Sequence, residues 1–274
     1  MKPANFRTRT LTALVFGVLM VGSIILGSHY FAFLMLVTSY LGIKEFYNLV
    51  SPESSAKSRQ AGAFIGILTF VIIFAFNANL IQGKWLWSFP VLLTFPFLIA
   101  MFDKIGNPVQ TIGATLAGIV FIFVPLSLFA SLLIVGDKIA GISGKGIVLI
   151  FLLILWVYDS AAYIIGSWLG KHKLFERLSP GKTWEGTLGG MVIGGGAALV
   201  ISTFYTQIPF YHWLTIAFLI MVSGTMGDLC ESMLKRKARV KDSGSLLPGH
   251  GGILDRFDAM LLSAPVAYLY IVLF

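Results

Sequence analysis

The densest charge in the chain lies near its C-terminal end, and it mixes both signs. It begins at Gly227-Asp228-Leu229-Cys230-Glu231 and runs on through Ser232-Met233-Leu234-Lys235-Arg236. After four residues come Lys241-Asp242-Ser243-Gly244, then Leu247-Pro248-Gly249-His250-Gly251-Gly252, and the stretch closes on Asp255-Arg256-Phe257-Asp258. Lysines and arginines suit phosphate groups, and carboxylates suit the metal ions that accompany phosphates. Glycines let the backbone approach a ligand closely. Spacing adds to composition. Asp228, Glu231 and Ser232 stand at i, i+3 and i+4, so a helix places them on one face. Asp255 and Asp258, three apart, open a second helix on one face. Two helices joined by a glycine-rich loop then offer facing carboxylates at one depth. Two or three such oxygens, with substrate phosphates and water, make a magnesium site. The competing reading of Asp258 is a charge that answers the dipole of a helix N-terminus.

Two upstream stretches carry further polar groups. Asp159 lies about 12 residues into an apolar run, well past one membrane surface at about 1.5 Å per residue. An ionisable group at that depth is a functional candidate by default, and its plainer reading is a structural ion pair. The second stretch is Ser179-Pro180-Gly181-Lys182-Thr183-Trp184-Glu185-Gly186. It resembles a P-loop only superficially, because Glu176 stands where the first glycine belongs. Ser179 and Thr183 suit phosphate oxygens, or Ser179 caps a helix with Pro180 in its first turn.

Apolar segments must position these groups. The chain is 57% hydrophobic and 12% charged, against roughly 25% charged residues in soluble domains. Much of its surface therefore meets lipid, and the net charge of +8 suits a membrane surface better than a nucleic acid. One cysteine, Cys230, excludes an intrachain disulfide and a cysteine-rich zinc site. A membrane helix needs about 20 apolar residues. Nine candidates follow, near 11–27, 30–50, 61–80, 85–101, 112–135, 146–169, 187–206, 211–230 and 257–274. The second is interrupted late by Lys44 and Glu45. The first follows Lys2, Arg7 and Arg9 as a secretory signal would, and we read it as a retained span. With the N-terminus in the cytoplasm, 17 basic residues fall inside and 3 outside, as the positive-inside rule demands. The expected fold is an all-α polytopic membrane protein of about nine helices. Gly194-Gly195-Gly196 is expected to let helices pack closely.

The stretch from Ser232 to Asp258 matches, without a gap, the signature of the CDP-diacylglycerol synthases, or phosphatidate cytidylyltransferases. The Ser179–Gly186 stretch and Asp159-Ser160-Ala161-Ala162-Tyr163 resemble the same family, and the first 140 residues add only hydropathy. The resemblance implies the reaction of CTP with phosphatidic acid to give CDP-diacylglycerol and pyrophosphate, in the cell membrane with the site facing the cytoplasm. It implies Mg2+ or Mn2+ on Asp228 and Asp255, with Asp258 and Ser232 completing a paired site that admits a monovalent cation such as K+. Lys182 would contact phosphate, and Asp159 would orient Lys182 or a metal-bound water. Lys235, Arg236, Lys241 and Arg256 would bind substrate, although the first three also suit cytoplasmic anchors that snorkel to anionic lipids. His250 would position pyrophosphate or act as an acid, or merely donate a hydrogen bond in its turn. Residues 1–140 would form N-terminal transmembrane helices and 141–274 the catalytic region, with loops at 171–186 and 235–256. The partners would be CTP, phosphatidic acid and membrane lipid, not nucleic acid, and a homodimer is compatible with all of this.

Two readings compete. A CTP-dependent polyprenol or phytol kinase would give CDP and a lipid phosphate instead. A transporter binds near mid-membrane between repeats, whereas this charge gathers at one surface and no repeat is evident. The Asp255-x-x-Asp258 pair is followed by Ala259, where a CDP-alcohol phosphotransferase needs glycine.

Overall fold

Apolar runs in lipid satisfy their backbone groups internally, which leaves the helix as the natural solution for each of them. The computed structural model describes residues 6–139, 141–249 and 251–273. Its helices are α1 (Phe6–Leu26), α2 (Ser28–Val50), α3 (Ala56–Asn77), α4 (Ser88–Leu92), α5 (Phe95–Phe102), α6 (Pro108–Gly118), α7 (Val124–Gly136), α8 (Gly144–Leu169), α9 (Trp184–Phe204), α10 (Phe210–Lys237) and α11 (Leu254–Leu273). A 3-10 turn at Gly83–Trp87 leads into α4, and a π-helical turn at Ile119–Phe123 joins α6 to α7 just before Pro125. Proline lacks the amide that a regular helix would use there.

The nine-span expectation is corrected to seven. Among the described residues, seven helical stretches are long and apolar enough to cross a membrane: 56–77, 83–102, 108–136, 144–169, 184–204, 210–237 and 254–273. The first two candidates fall short. The apolar part of α1 runs only from Thr10 to Leu26. In α2, polar side chains interrupt the apolar run, and Glu45 is turned into the protein at 8% exposure. The 235–256 loop is also shorter than expected, because α10 continues to Lys237 and α11 starts at Leu254.

The expected loop at 171–186 instead contains an antiparallel hairpin, β1 (Lys173–Phe175) and β2 (Ser179–Thr183), with Lys173 opposite Thr183. It joins α8 to α9, which pack closely. A Cβ on Gly186 would lie 2.6 Å from the Ala162 carbonyl oxygen, and one on Gly190 would lie 2.9 Å from the Ala162 Cβ. Gly189, between them, is pressed in the same way by Ile165 of α8, so these glycines of α9 permit the approach. Of the expected Gly194-Gly195-Gly196 run, only Gly194 is pressed by a neighbour, the Met221 sulfur of α10, while Gly196 has open space. The Tyr158 hydroxyl of α8 lies 2.5 Å from Thr225 Oγ1 of α10. Helix α11 packs between α10 and α7, and its first turn meets α10 at Gly227, where a Cβ would run into the Asp258 carbonyl oxygen, while buried Leu254 and Phe257 face Gly42 of α2 and Phe16 of α1.

Candidate active site

The hairpin is built by its own polar ends. Glu185, in the first turn of α9, accepts from the backbone amides of Lys171 and His172 at 3.1–3.2 Å, and from or beside His172 Nδ1 at 2.6 Å. Trp184 N donates to the His172 carbonyl at 2.9 Å. Thr183 Oγ1 accepts from Gly186 N and caps α9. Of the two roles offered for Ser179, the helix cap falls to Thr183, because Ser179 belongs to β2 and the helix begins only at Trp184. The hairpin swings Lys182 toward α10, where Lys182 Nζ lies 2.5 Å from Asp228 Oδ2. Ser232 Oγ donates to Asp228 Oδ1 at 3.2 Å, as their i, i+4 spacing demands.

Around this pair lies a cavity of about 470 Å³, lined by Asp159 of α8, Ser179, Lys182 and Thr183 of β2, and Asp228, Asp255 and Asp258. A cavity of about 560 Å³ lies at the other end of the bundle, but Lys138 is the one charged side chain lining it. Volume does not choose between the two, whereas converging charge does. Asp159 shares the cavity with Lys182, but the ion pair of Lys182 is with Asp228.

The other half of the charged stretch forms a closed cluster. Lys235 Nζ pairs with Glu231, one turn earlier on α10, and lies 2.7 Å from Asp255 Oδ1. The Glu231 side chain is wholly buried. Asp255 Oδ2 accepts from Ser243 N at 2.9 Å, Ser243 Oγ at 3.0 Å and Gly252 N at 2.8 Å. Lys235, expected at substrate, here bridges α10 to α11 through Glu231 and Asp255. Arg236 also turns elsewhere: its Nε donates to the Leu178 carbonyl in the hairpin turn and its Nη1 to the Val240 carbonyl. Lys241 and Arg256 are exposed outside the cavity lining. His250 lies outside the described residues. In the connecting loop, Gly249 and Gly251 have φ of 79° and 81°, a region open to glycine. The loop turns back there, and Leu247 N donates to the Gly251 carbonyl at 3.0 Å.

Sequence reasoning passed over Glu185 and Glu231 as site-building residues. Glu185 stands in the motif, three residues after Lys182, and Glu231 shares its helix face with Asp228. Those spacings are what reveals them.

Among the described residues, no three His, Cys, Asp or Glu side chains converge as a ready-made metal site. The donor set still suits a hard cation. Four carboxylates line the cavity (Asp159, Asp228, Asp255 and Asp258) against the one ammonium group of Lys182 among the described lining residues. Magnesium characteristically takes only one or two carboxylates and draws its remaining ligands from water and substrate phosphates.

Residues 7–274 match the sequence model of the cytidylyltransferase family. A phosphatidate cytidylyltransferase of Bacillus subtilis (strain 168) is 37% identical over 211 residues, covering 73% of this chain and 72% of its own length. One from Synechocystis sp. is 29% identical over 293 residues, covering 97% of each chain. One from Brucella suis biovar 1 is 32% identical over 269 residues, covering 97% of this chain and 93% of its own. With its charged cavity and its helical membrane architecture, this chain belongs to the cytidylyltransferase family and is a nucleotidyltransferase.

Proposed function

We propose that the chain is a phosphatidate cytidylyltransferase, which joins CTP and phosphatidic acid into CDP-diacylglycerol and pyrophosphate. The observation that carries this reading is the meeting of Lys182 with Asp159, Asp228, Asp255 and Asp258 around one cavity. An oxygen of the lipid phosphate attacks the α-phosphorus of CTP, and the bond to the departing pyrophosphate breaks. Such a transfer depends on alignment and on neutralising negative charge. Lys182 is placed to exchange its contact with Asp228 for a phosphate oxygen. Thr183 accepts from Gly186 N, so its hydroxyl proton remains available to a phosphate. Ser179 presents a second hydroxyl to the same cavity.

Asp228, Asp255 and Asp258 would hold Mg2+ or Mn2+, with Ser232 supporting Asp228. A second, monovalent cation such as K+ fits the remaining excess of carboxylates. When bound, the divalent ion polarises phosphate oxygens and stabilises the leaving group. Asp228 is a readier donor than Asp255, because its side chain is 28% exposed at the Lys182 contact, whereas that of Asp255 is 7% exposed and held by Lys235, Ser243 and Gly252. The N-terminus and the site face the cytoplasm, as the positive-inside bias supports. CTP then arrives from water, and the lipid enters from the bilayer beside α8 and α9.

The test uses purified protein in detergent with phosphatidic acid, labelled CTP and magnesium. Labelled CDP-lipid and pyrophosphate are expected, and a chelator is expected to stop their formation. CDP with a newly phosphorylated lipid would assign the chain to the CTP-dependent lipid kinases instead. Activity that resists the chelator would remove the metal from the reading. Reporter fusions at residues 140 and 274 are both expected outside; a cytoplasmic C-terminus alone would overturn the number of crossings after residue 140, and both fusions reading cytoplasmic would reverse the orientation.

A further inference from the structure

Glu45 sits in α2, far from the charged stretch in sequence, and no step above uses it. A lone carboxylate on a mostly apolar helix belongs in water or beside a cation. This one is 8% exposed and is spent on the loop between α10 and α11. Its Oε1 accepts from Ile253 N at 3.0 Å. Its Oε2 accepts from Leu254 N at 3.0 Å and, at 2.9 Å, shares the single Ser243 Oγ proton with Asp255 Oδ2. Ile253 and Leu254 supply amides at the start of α11, which have no partner inside their own helix. Ser243 continues the chain of contacts, donating through its backbone N to Asp255. The first helix reaches the same loop, where Thr12 Oγ1 donates to the Pro248 carbonyl at 3.2 Å.

The glycines of the charged stretch agree with this arrangement. A Cβ on Gly244 would lie 2.5 Å from Glu45 Oε1, and one on Gly252 would collide with Glu45 Oε2 and Ser243 Oγ. These two glycines bring backbone to Glu45 rather than to a ligand.

We infer that Glu45 is a positioning residue for the transfer reaction, a clamp from the N-terminal helices that sets the 241–254 loop and, through it, Asp255 and Asp258 in the first turn of α11. The inference rests on the proposed reaction for its kinetic consequence but not for its structural one. Misplacing a reacting group by about 1 Å can lower a rate about 100-fold.

The experiment compares wild type, Glu45→Gln, Glu45→Asp and Ser243→Ala in detergent, by steady-state kinetics and by hydrogen–deuterium exchange. Glu45→Gln keeps the shape but turns one acceptor into a donor facing an amide. It is expected to lower kcat about 100-fold, with KM for CTP within about threefold, and to raise exchange in 241–255 while the α8–hairpin–α9 segment stays protected. Glu45→Asp is expected to recover part of kcat. Ser243→Ala leaves the two amide contacts to Glu45 but removes the hydroxyl contacts to both Glu45 and Asp255, and is expected to lose about tenfold; if Glu45→Gln fails to fold, Glu45→Asp decides the matter by its kcat and its exchange in 241–255. Unchanged kcat and unchanged exchange in 241–255 would overturn the inference, and so would a kcat loss matched by exchange rising through the whole protein. A wild type that makes no CDP-lipid would defeat the proposed reaction alone, and the exchange data would still decide the clamp.

Discussion

Two charge clusters built from the same residue types lie about two turns apart on α10, and they behave differently. Asp228 meets Lys182 at the cavity, with side chains 28% and 27% exposed. Lys235 meets Glu231 and Asp255 in the protein interior, with side chains 11%, 0% and 7% exposed. The first pair can trade partners, because a phosphate or cation can reach both members. In the second, removing Lys235 would leave two buried carboxyl groups without their counter-charge. Density of charge in a motif therefore says little about which charges meet substrate. About half of this stretch holds the other half in place.

Substitutions can break or sharpen this contrast. The largest expected effect is at the open pair. Asp228→Asn keeps shape and removes charge, and kcat is expected to fall about 1000-fold while the melting temperature in detergent stays near wild type. A parallel fall in melting temperature would make Asp228 structural, like its neighbour. Next comes the closed cluster. Lys235→Ala should destabilise the protein by about 3 kcal/mol, read from denaturation in detergent, with the activity loss tracking the folded fraction. Full stability with lost turnover would return Lys235 to the substrate. Lys182→Ala should lower kcat about 100-fold without unfolding, and Lys182→Arg should recover only part of it, since the two cations differ in geometry and hydration. The smallest effect is expected at the base of the hairpin. Glu185→Gln should raise KM for CTP more than it lowers kcat, by less than about tenfold, because it loosens the strand that carries Lys182 rather than the contact itself. An equal or larger fall in kcat would place Glu185 at the reacting atoms.

Much of this was legible in the residues. Continuous apolar runs can satisfy their backbone in lipid only as helices or a closed barrel, and their length and near absence of charge favour helices. The i, i+3 and i, i+4 spacings correctly put Ser232 on Asp228, because that contact is local to one helix. The hairpin was not legible, since strands of three and five residues rich in Gly, Pro and Lys carry no alternating pattern. Nor was the polarity of α2 readable as anything but an interruption.

The sequence by itself determined the helical membrane class, the family and the set of groups able to handle phosphate, all properties of short windows of chain. Tertiary structure alone decided who meets whom: Lys182 with Asp228 rather than Asp159, Asp255 with Lys235, and Glu45 with residues about 200 positions later. Helical periodicity gives each charge a face and a depth. Which face then turns to which neighbour depends on how separate helices pack, through small contacts such as Gly186 and Gly190 against Ala162, and no local spacing encodes that.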